Sequence, residues 1–75
     1  MSLKLLKESK FMLKSSKGWG WMYVSEYATT WRVTYHILGW YMPSILEERV
    51  KKVSGDTDYS VAQSVLTDAE KRNIL

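Results

Sequence analysis

The residues of this chain that could do chemistry are few. His36 is its one histidine and it has no cysteine, so no metal centre can be assembled, because a ligand cluster needs several such side chains at matched spacing. No serine has a recognisable partner base, and Gly18-Trp19-Gly20 is too short for a phosphate-binding loop. The sequence therefore predicts no catalytic residue, no metal ligand and no cofactor, and points to a non-enzymatic role. What stands out instead is recognition chemistry. Eight aromatic residues, Trp19, Trp21, Tyr23, Tyr27, Trp31, Tyr35, Trp40 and Tyr41, crowd one segment, and Lys4, Lys7, Lys10, Lys14 and Lys17 precede it.

At 75 residues the chain allows one small domain, and its 45% hydrophobic content excludes a wholly disordered one. Without disulfides or metal, so small a scaffold needs support from a partner or a membrane. The net charge of +3 is too modest to demand a polyanion. Charge and aromatic content divide the chain into a basic arm (1–18), an aromatic segment (19–42) and a mixed-charge tail (43–75).

The spacing predicts an all-α architecture with no independent globular core. In the arm, straight-chain residues dominate and the five lysines fall in one arc of a helical wheel, opposite Leu5, Leu6, Met12 and Leu13. Such a helix suits an anionic lipid surface, cardiolipin included, or a protein partner, and its Glu8 and lack of arginine argue against a cleaved presequence. In the tail, Pro43 precedes a capping box at Ser44-Ile45-Leu46-Glu47 and a short helix stopped by Gly55. Asp56-Thr57-Asp58 reads as a turn, Tyr59 to Leu66 as another turn or two of helix, and Thr67-Asp68-Ala69-Glu70 as a box opening the last helix.

Residues 19–42 are long enough, as a helix, to cross a bilayer's hydrocarbon core. Ser25, Thr29, Arg32, His36 and Gly39 gather in a narrow polar sector, while Tyr23, Val24, Tyr27, Trp31, Tyr35, Leu38 and Met42 fill a broad face. Apolar around most of its circumference, this helix must be embedded in lipid or protein. Trp19 and Trp21 at one end and Trp40 and Tyr41 at the other, with the five lysines, are placed as lipid and interface residues. Glu26, Tyr27, Trp31, Arg32, Tyr35 and His36 are placed as contacts to a partner subunit. Glu26 lies too far round the helix to pair with Arg32, so the arginine is expected to find its counter-charge outside the chain. The soluble alternative docks the same helix into a groove of a larger assembly. Nucleic acid is not expected, because lysines and aromatics occupy separate segments rather than alternating along one surface.

A basic arm, one Trp/Tyr-rich span and a helical tail resemble the small accessory subunits of mitochondrial respiratory complexes and ATP synthase. Gly39-Trp40-Tyr41-Met42-Pro43-Ser44-Ile45-Leu46 is also similar to the Gly-x-x-Met-Pro-x-Ile-Leu-like run ending the first hydrophobic segment of a mitochondrial inner-membrane family of unknown function. These resemblances imply a non-catalytic accessory subunit of a membrane-embedded, energy-converting complex, in the electron transport chain or ATP synthase. Its partners would be the other subunits of that hetero-oligomer and anionic lipid. Its place would be the mitochondrial inner membrane, with the N-terminus toward the matrix.

Overall fold

A computed structural model describes residues 4–38 and 46–73. Four strands, β1 (Lys7–Ser15), β2 (Gly18–Glu26), β3 (Thr30–Ile37) and β4 (Leu46–Lys51), form an antiparallel sheet in the order β1-β2-β3-β4, and one helix, α1 (Asp58–Lys71), follows. The register runs Lys7↔Glu26 to Ser15↔Gly18, Gly20↔Ile37 to Glu26↔Trp31, and Thr30↔Lys51 to Tyr35↔Leu46.

Each strand alternates. Phe11, Leu13, Met22, Val24, Trp31, Val33, Tyr35, Leu46 and Val50 share one face, as the period of two demands. Helix α1 lies across that face on β1, β2 and β3 and buries Val61, Ala62, Val65, Leu66 and Ala69 into the same core. Thr57 caps it by a Thr-x-x-Ser box: its hydroxyl accepts from the Ser60 N–H at 3.2 Å, and its own N–H donates to Ser60 Oγ at 2.9 Å. At the other end Asn73, with φ of 60°, donates its N–H to the Glu70 carbonyl at 3.1 Å, an exit in the left-handed conformation that asparagine tolerates. Ser9 Oγ donates to Asp58 at 2.6 Å, the Ser16 N–H to Glu70 at 2.8 Å, and Arg72 to Glu48 at 2.5 Å, so both helix ends are tied to the sheet.

Two glycines set the β1–β2 hairpin. Ser16 and Lys17 form its turn without positive φ, and the reversal is completed by Gly18 at φ 118°, as in a type I turn followed by a glycine bulge. Ser15 Oγ accepts from the Lys17 N–H and donates to the Gly18 carbonyl, both at 3.1 Å. Gly20 leaves room for the Tyr35 ring, which crosses β2 so that its hydroxyl donates to the Leu13 carbonyl at 2.9 Å, with the Gly18 carbonyl at 3.2 Å. That phenol links three strands from within the core.

The sheet corrects the all-α expectation. The basic arm supplies β1 instead of an amphipathic helix, and the aromatic segment supplies β2, a turn closed by the Tyr27 N–H on the Thr30 carbonyl at 2.9 Å, and β3. The tail helix expected after Pro43 is β4, and the Thr67 box lies inside α1 rather than opening a helix. Gly55, expected as a helix stop, turns the chain between β4 and α1 at φ 93°. Trp40, Tyr41 and Gly39, with most of the Gly-x-x-Met-Pro run, lie outside the described residues. Among the described residues no helix is long and apolar enough to cross a membrane; α1, with 14 residues, reaches about 21 Å against a hydrocarbon core of about 30 Å. Strands β2 and β3 replace the transmembrane helix expected over 19–42, and with it goes the support for a mitochondrial inner-membrane location, a matrix-facing N-terminus and a place in the respiratory chain or ATP synthase.

Candidate functional site

Helix α1 covers one face of the sheet, and no described residue packs across the other. Down β2 that open face presents Trp19, Trp21, Tyr23 and Ser25, at alternate positions about 7 Å apart. Opposite them on β1 stand Lys14, Met12, Lys10 and Glu8, and on β3 His36 faces Trp21, Thr34 faces Tyr23 and Arg32 faces Ser25. Beyond β3, Arg49 lies across from Arg32 and Glu47 from Thr34. The hairpin thus folds the basic arm flat against the aromatic segment.

The contacts follow from this pairing. Lys10 Nζ sits 4.4 Å from the centroid of the Trp21 ring and 5.8 Å from that of Tyr23, within the range in which an ammonium is drawn to an aromatic face. His36 packs edge-on against Tyr23 with centroids 5.5 Å apart. Trp19 is 52% exposed, with Met12 and Leu38 also open, so the hairpin end of the face is apolar and uncovered.

Electrostatics divides the molecule between its faces. Lys10, Lys14, Arg32, Arg49 and Lys51 outnumber Glu8 and Glu47 on the open face, whereas Glu26, Glu48, Asp56, Asp58, Asp68 and Glu70 outnumber the cations on the helix side. Arg32 and Arg49 stand directly opposite each other, a pairing that costs stability. Each guanidinium has a local partner: both Nε and Nη2 of Arg32 donate to one oxygen of Glu47, and Arg49 lies 5.4 Å from the Tyr27 ring centroid and donates to Thr30 Oγ1 at 3.3 Å. The Glu47 hydrogen bonds, reinforced by its charge, hold the Arg32 guanidinium above its ordinary value.

The residues singled out from sequence separate accordingly. Trp31 and Tyr35 are core, with Trp31 Nε1 buried and lacking a hydrogen-bond partner among the described residues. Glu26 faces the helix side and accepts from Lys52 at 2.5 Å, and Tyr27 lies at the β2–β3 turn. Arg32 finds its counter-charge within the chain, on Glu47. Lys7 pairs with Asp58 at 3.2 Å, Lys4 precedes β1, and Lys17 stands at the hairpin turn. Lys10, Lys14, Trp19, Trp21, Arg32 and His36 meet on the open face. Ser25, grouped with Arg32 and His36 in the helical reading, stays beside Arg32 here, and Glu8, Met12, Tyr23, Thr34, Glu47 and Arg49 join them; the alternation of β1 and β3 marks Glu8, Met12 and Thr34 as outward-facing, while the residues of β2 and β4 are placed by register.

Tyr23, Ser25 and Glu8, with Arg32, Thr34 and His36, line a shallow depression in this face. Among the described residues no group of three or more His, Asp or Glu side chains could hold a metal ion. The chain matches no protein-family model, no curated protein and no solved structure.

Proposed function

We propose that this protein is a non-catalytic binding module for single-stranded nucleic acid, which it holds on the open face of its sheet. The observation that carries the proposal is the placement of Lys10 over Trp21 and Tyr23 on a face that none of the other described elements covers. Proteins that bind single strands combine aromatic side chains, on which bases stack, with cations that follow the phosphates. The objection to nucleic acid is that lysines and aromatics lie in separate stretches of sequence. Strand pairing removes it, because residues far apart along the chain become neighbours across the ladder. A bound phosphate would also relieve the opposition of Arg32 and Arg49.

Titration of the whole protein with an oligothymidylate, followed by tryptophan emission, tests the proposal. Stacking on Trp19 and Trp21 should quench emission. If three to five of the face's cations meet phosphates, the logarithm of affinity should fall with the logarithm of salt at a slope of about −2 to −3.5. Trp21→Ala should weaken binding by about 1–3 kcal/mol, and a duplex of equal length should bind less well, its bases being stacked already. Affinity independent of salt, or equal for duplex and single strand, would overturn the proposal. The exposed corner of Met12, Trp19 and Leu38 also suits a protein surface, and salt-insensitive self-association without oligonucleotide binding would favour that role.

A further inference from the structure

The open face is not uniform. Its hairpin end exposes Trp19, Met12 and Leu38 beside Lys14, whereas the depression lies further along the sheet, on a polar row bordered by Tyr23, Thr34 and His36. In that row Glu8 on β1, Ser25 on β2 and Arg32 on β3 are consecutive cross-strand partners. The carboxylate and the guanidinium are therefore carried by backbones about 10 Å apart, two strand spacings, with the small Ser25 between them and Tyr23 beside it. Ser25 Oγ approaches Glu8 at 3.5 Å, at the limit of a hydrogen bond, and no ion pair engages Glu8 among the described residues. Arg32 is oriented by Glu47 through Nε and Nη2, which leaves Nη1 without a partner among those residues. The row offers an acceptor pair at one end, a fixed donor at the other and an aromatic ring alongside.

From this geometry, and resting on the single-strand function proposed above, we infer that the depression is a base-reading subsite that selects guanine. Guanine alone among the common bases carries two adjacent donors on one edge, N1–H and the N2 amino group, and two acceptors, O6 and N7, on the other. A carboxylate takes the first pair and a guanidinium the second. Unstacked bases in single strands present both edges and can rest on a tyrosine ring. Adenine would turn its N1 acceptor toward Glu8, thymine offers a single ring N–H, and cytosine offers one amino group with acceptors beside it. Each leaves Glu8 or Arg32 less well matched.

The experiment uses the full chain and fluorescently labelled oligothymidylates, either unmodified or with one central thymidine replaced by guanosine, adenosine or cytidine, at one fixed salt concentration. The guanine oligomer should bind roughly five- to a hundred-fold more tightly than the others. Glu8→Gln keeps a side chain of the same shape on an exposed position but converts one acceptor into a donor. It should abolish the guanine preference while leaving the unmodified oligomer bound at least as well. Arg32→Lys should keep only part of the preference, since a point charge cannot reproduce the fork. A matching ribonucleotide series shows which sugar the face accepts, and a guanine preference in either series supports the inference. Equal affinity for all four deoxy oligomers and their ribo counterparts, or a preference that survives Glu8→Gln, would overturn the guanine subsite while leaving single-strand binding intact. No binding of any oligomer would overturn both.

Discussion

Gly20→Ala tests the sheet at its tightest point. A Cβ at this position would lie 2.3 Å from the His36 carbonyl oxygen, 2.8 Å from Tyr35 Cζ and 2.9 Å from Tyr35 Oη. The first neighbour is backbone next to the Gly20↔Ile37 pair and cannot swing aside; the second belongs to a side chain with no exposed surface. Overpacking of this kind costs about 1–3 kcal/mol, and displacing the phenol from the Leu13 carbonyl adds about 1 kcal/mol. A loss of about 2–4 kcal/mol, at about 4–8 °C per kcal/mol for a domain of this size, lowers Tm by at least about 8 °C. The sign separates the two folds: in a helix over residues 19–42 the same change would stabilise by about 0.8–1.0 kcal/mol. Gly18→Ala is the control, because its added Cβ meets nothing within 4 Å and only the positive φ of 118° opposes it, at about 1–2 kcal/mol. Thermal and urea unfolding of both variants, alone and combined with Tyr35→Leu, should show strong coupling to Tyr35 for position 20, where the added Cβ meets the ring, and weaker coupling for position 18, whose carbonyl lies 3.2 Å from the phenol. A Gly20→Ala protein as stable as its parent, or more stable, would refute the placement of Tyr35 across β2.

Two pH dependences follow from the core and the helix cap. Burial holds the Tyr35 phenol above its ordinary value, Glu70 adds to this and a Ser15 hydrogen bond opposes it; the stabilisation is therefore complete below about pH 10, the unfolded value, and is lost as pH rises through the folded one. Urea unfolding from pH 8 to 11.5 should show a steeper alkaline decline for the parent than for Tyr35→Phe, and equal slopes would count against a buried phenol. The Asp58 carboxyl is held below its ordinary value, first by the Ser9 hydroxyl and then, against desolvation, by Lys7 and the Tyr59 N–H. Its contribution is present above about pH 3.9 and is lost as pH falls through the lower folded value. Ser9→Ala should accordingly cost about 1 kcal/mol at neutral pH and less near pH 2, and a penalty unchanged by pH would exclude the charged hydrogen bond.

Parts of this fold are legible in the sequence and were obscured by a competing period. Strand β3, Thr30-Trp31-Arg32-Val33-Thr34-Tyr35-His36-Ile37, alternates without a break and is built from β-branched and aromatic residues, the pattern of a half-buried strand. In β2 the alternation is hidden because Trp21 and Tyr23 on the open face are as hydrophobic as Met22 and Val24 beneath them. A strand apolar on both faces cannot be told by period from an embedded helix. The lysines at 4, 7, 10, 14 and 17 recur every three or four residues and imitate a helical arc, although Phe11 and Leu13 point inward while Lys10, Met12 and Lys14 point outward. The tail misled for another reason: the Ser/Thr-x-x-Glu signature occurs at Ser44 and Thr67, whereas the cap that forms uses Ser60 in place of an acidic residue.

The candidate site shows a different limit. Its components were legible: Lys10, Lys14, Trp19, Trp21, Arg32 and His36 stand out by type. Their neighbours are fixed by register, however, and a shift of one residue would turn every side chain of a strand to the other face. Register here depends on features without any chemical signal of their own: a glycine at 18 that can take positive φ, a glycine at 20 that admits a phenol, and a serine at 15 that closes the turn. Tyr35 is the clearest case, since a residue expected to face a partner subunit instead locks β1, β2 and β3 together beneath the open face. The aromatic residues of this chain thus do two separate jobs. Tyr35 and Trp31 hold the sheet from inside, and that rigidity keeps Trp19, exposed, and Trp21 and Tyr23, half-buried, at fixed spacing on the other side, where a flexible chain would collapse onto them.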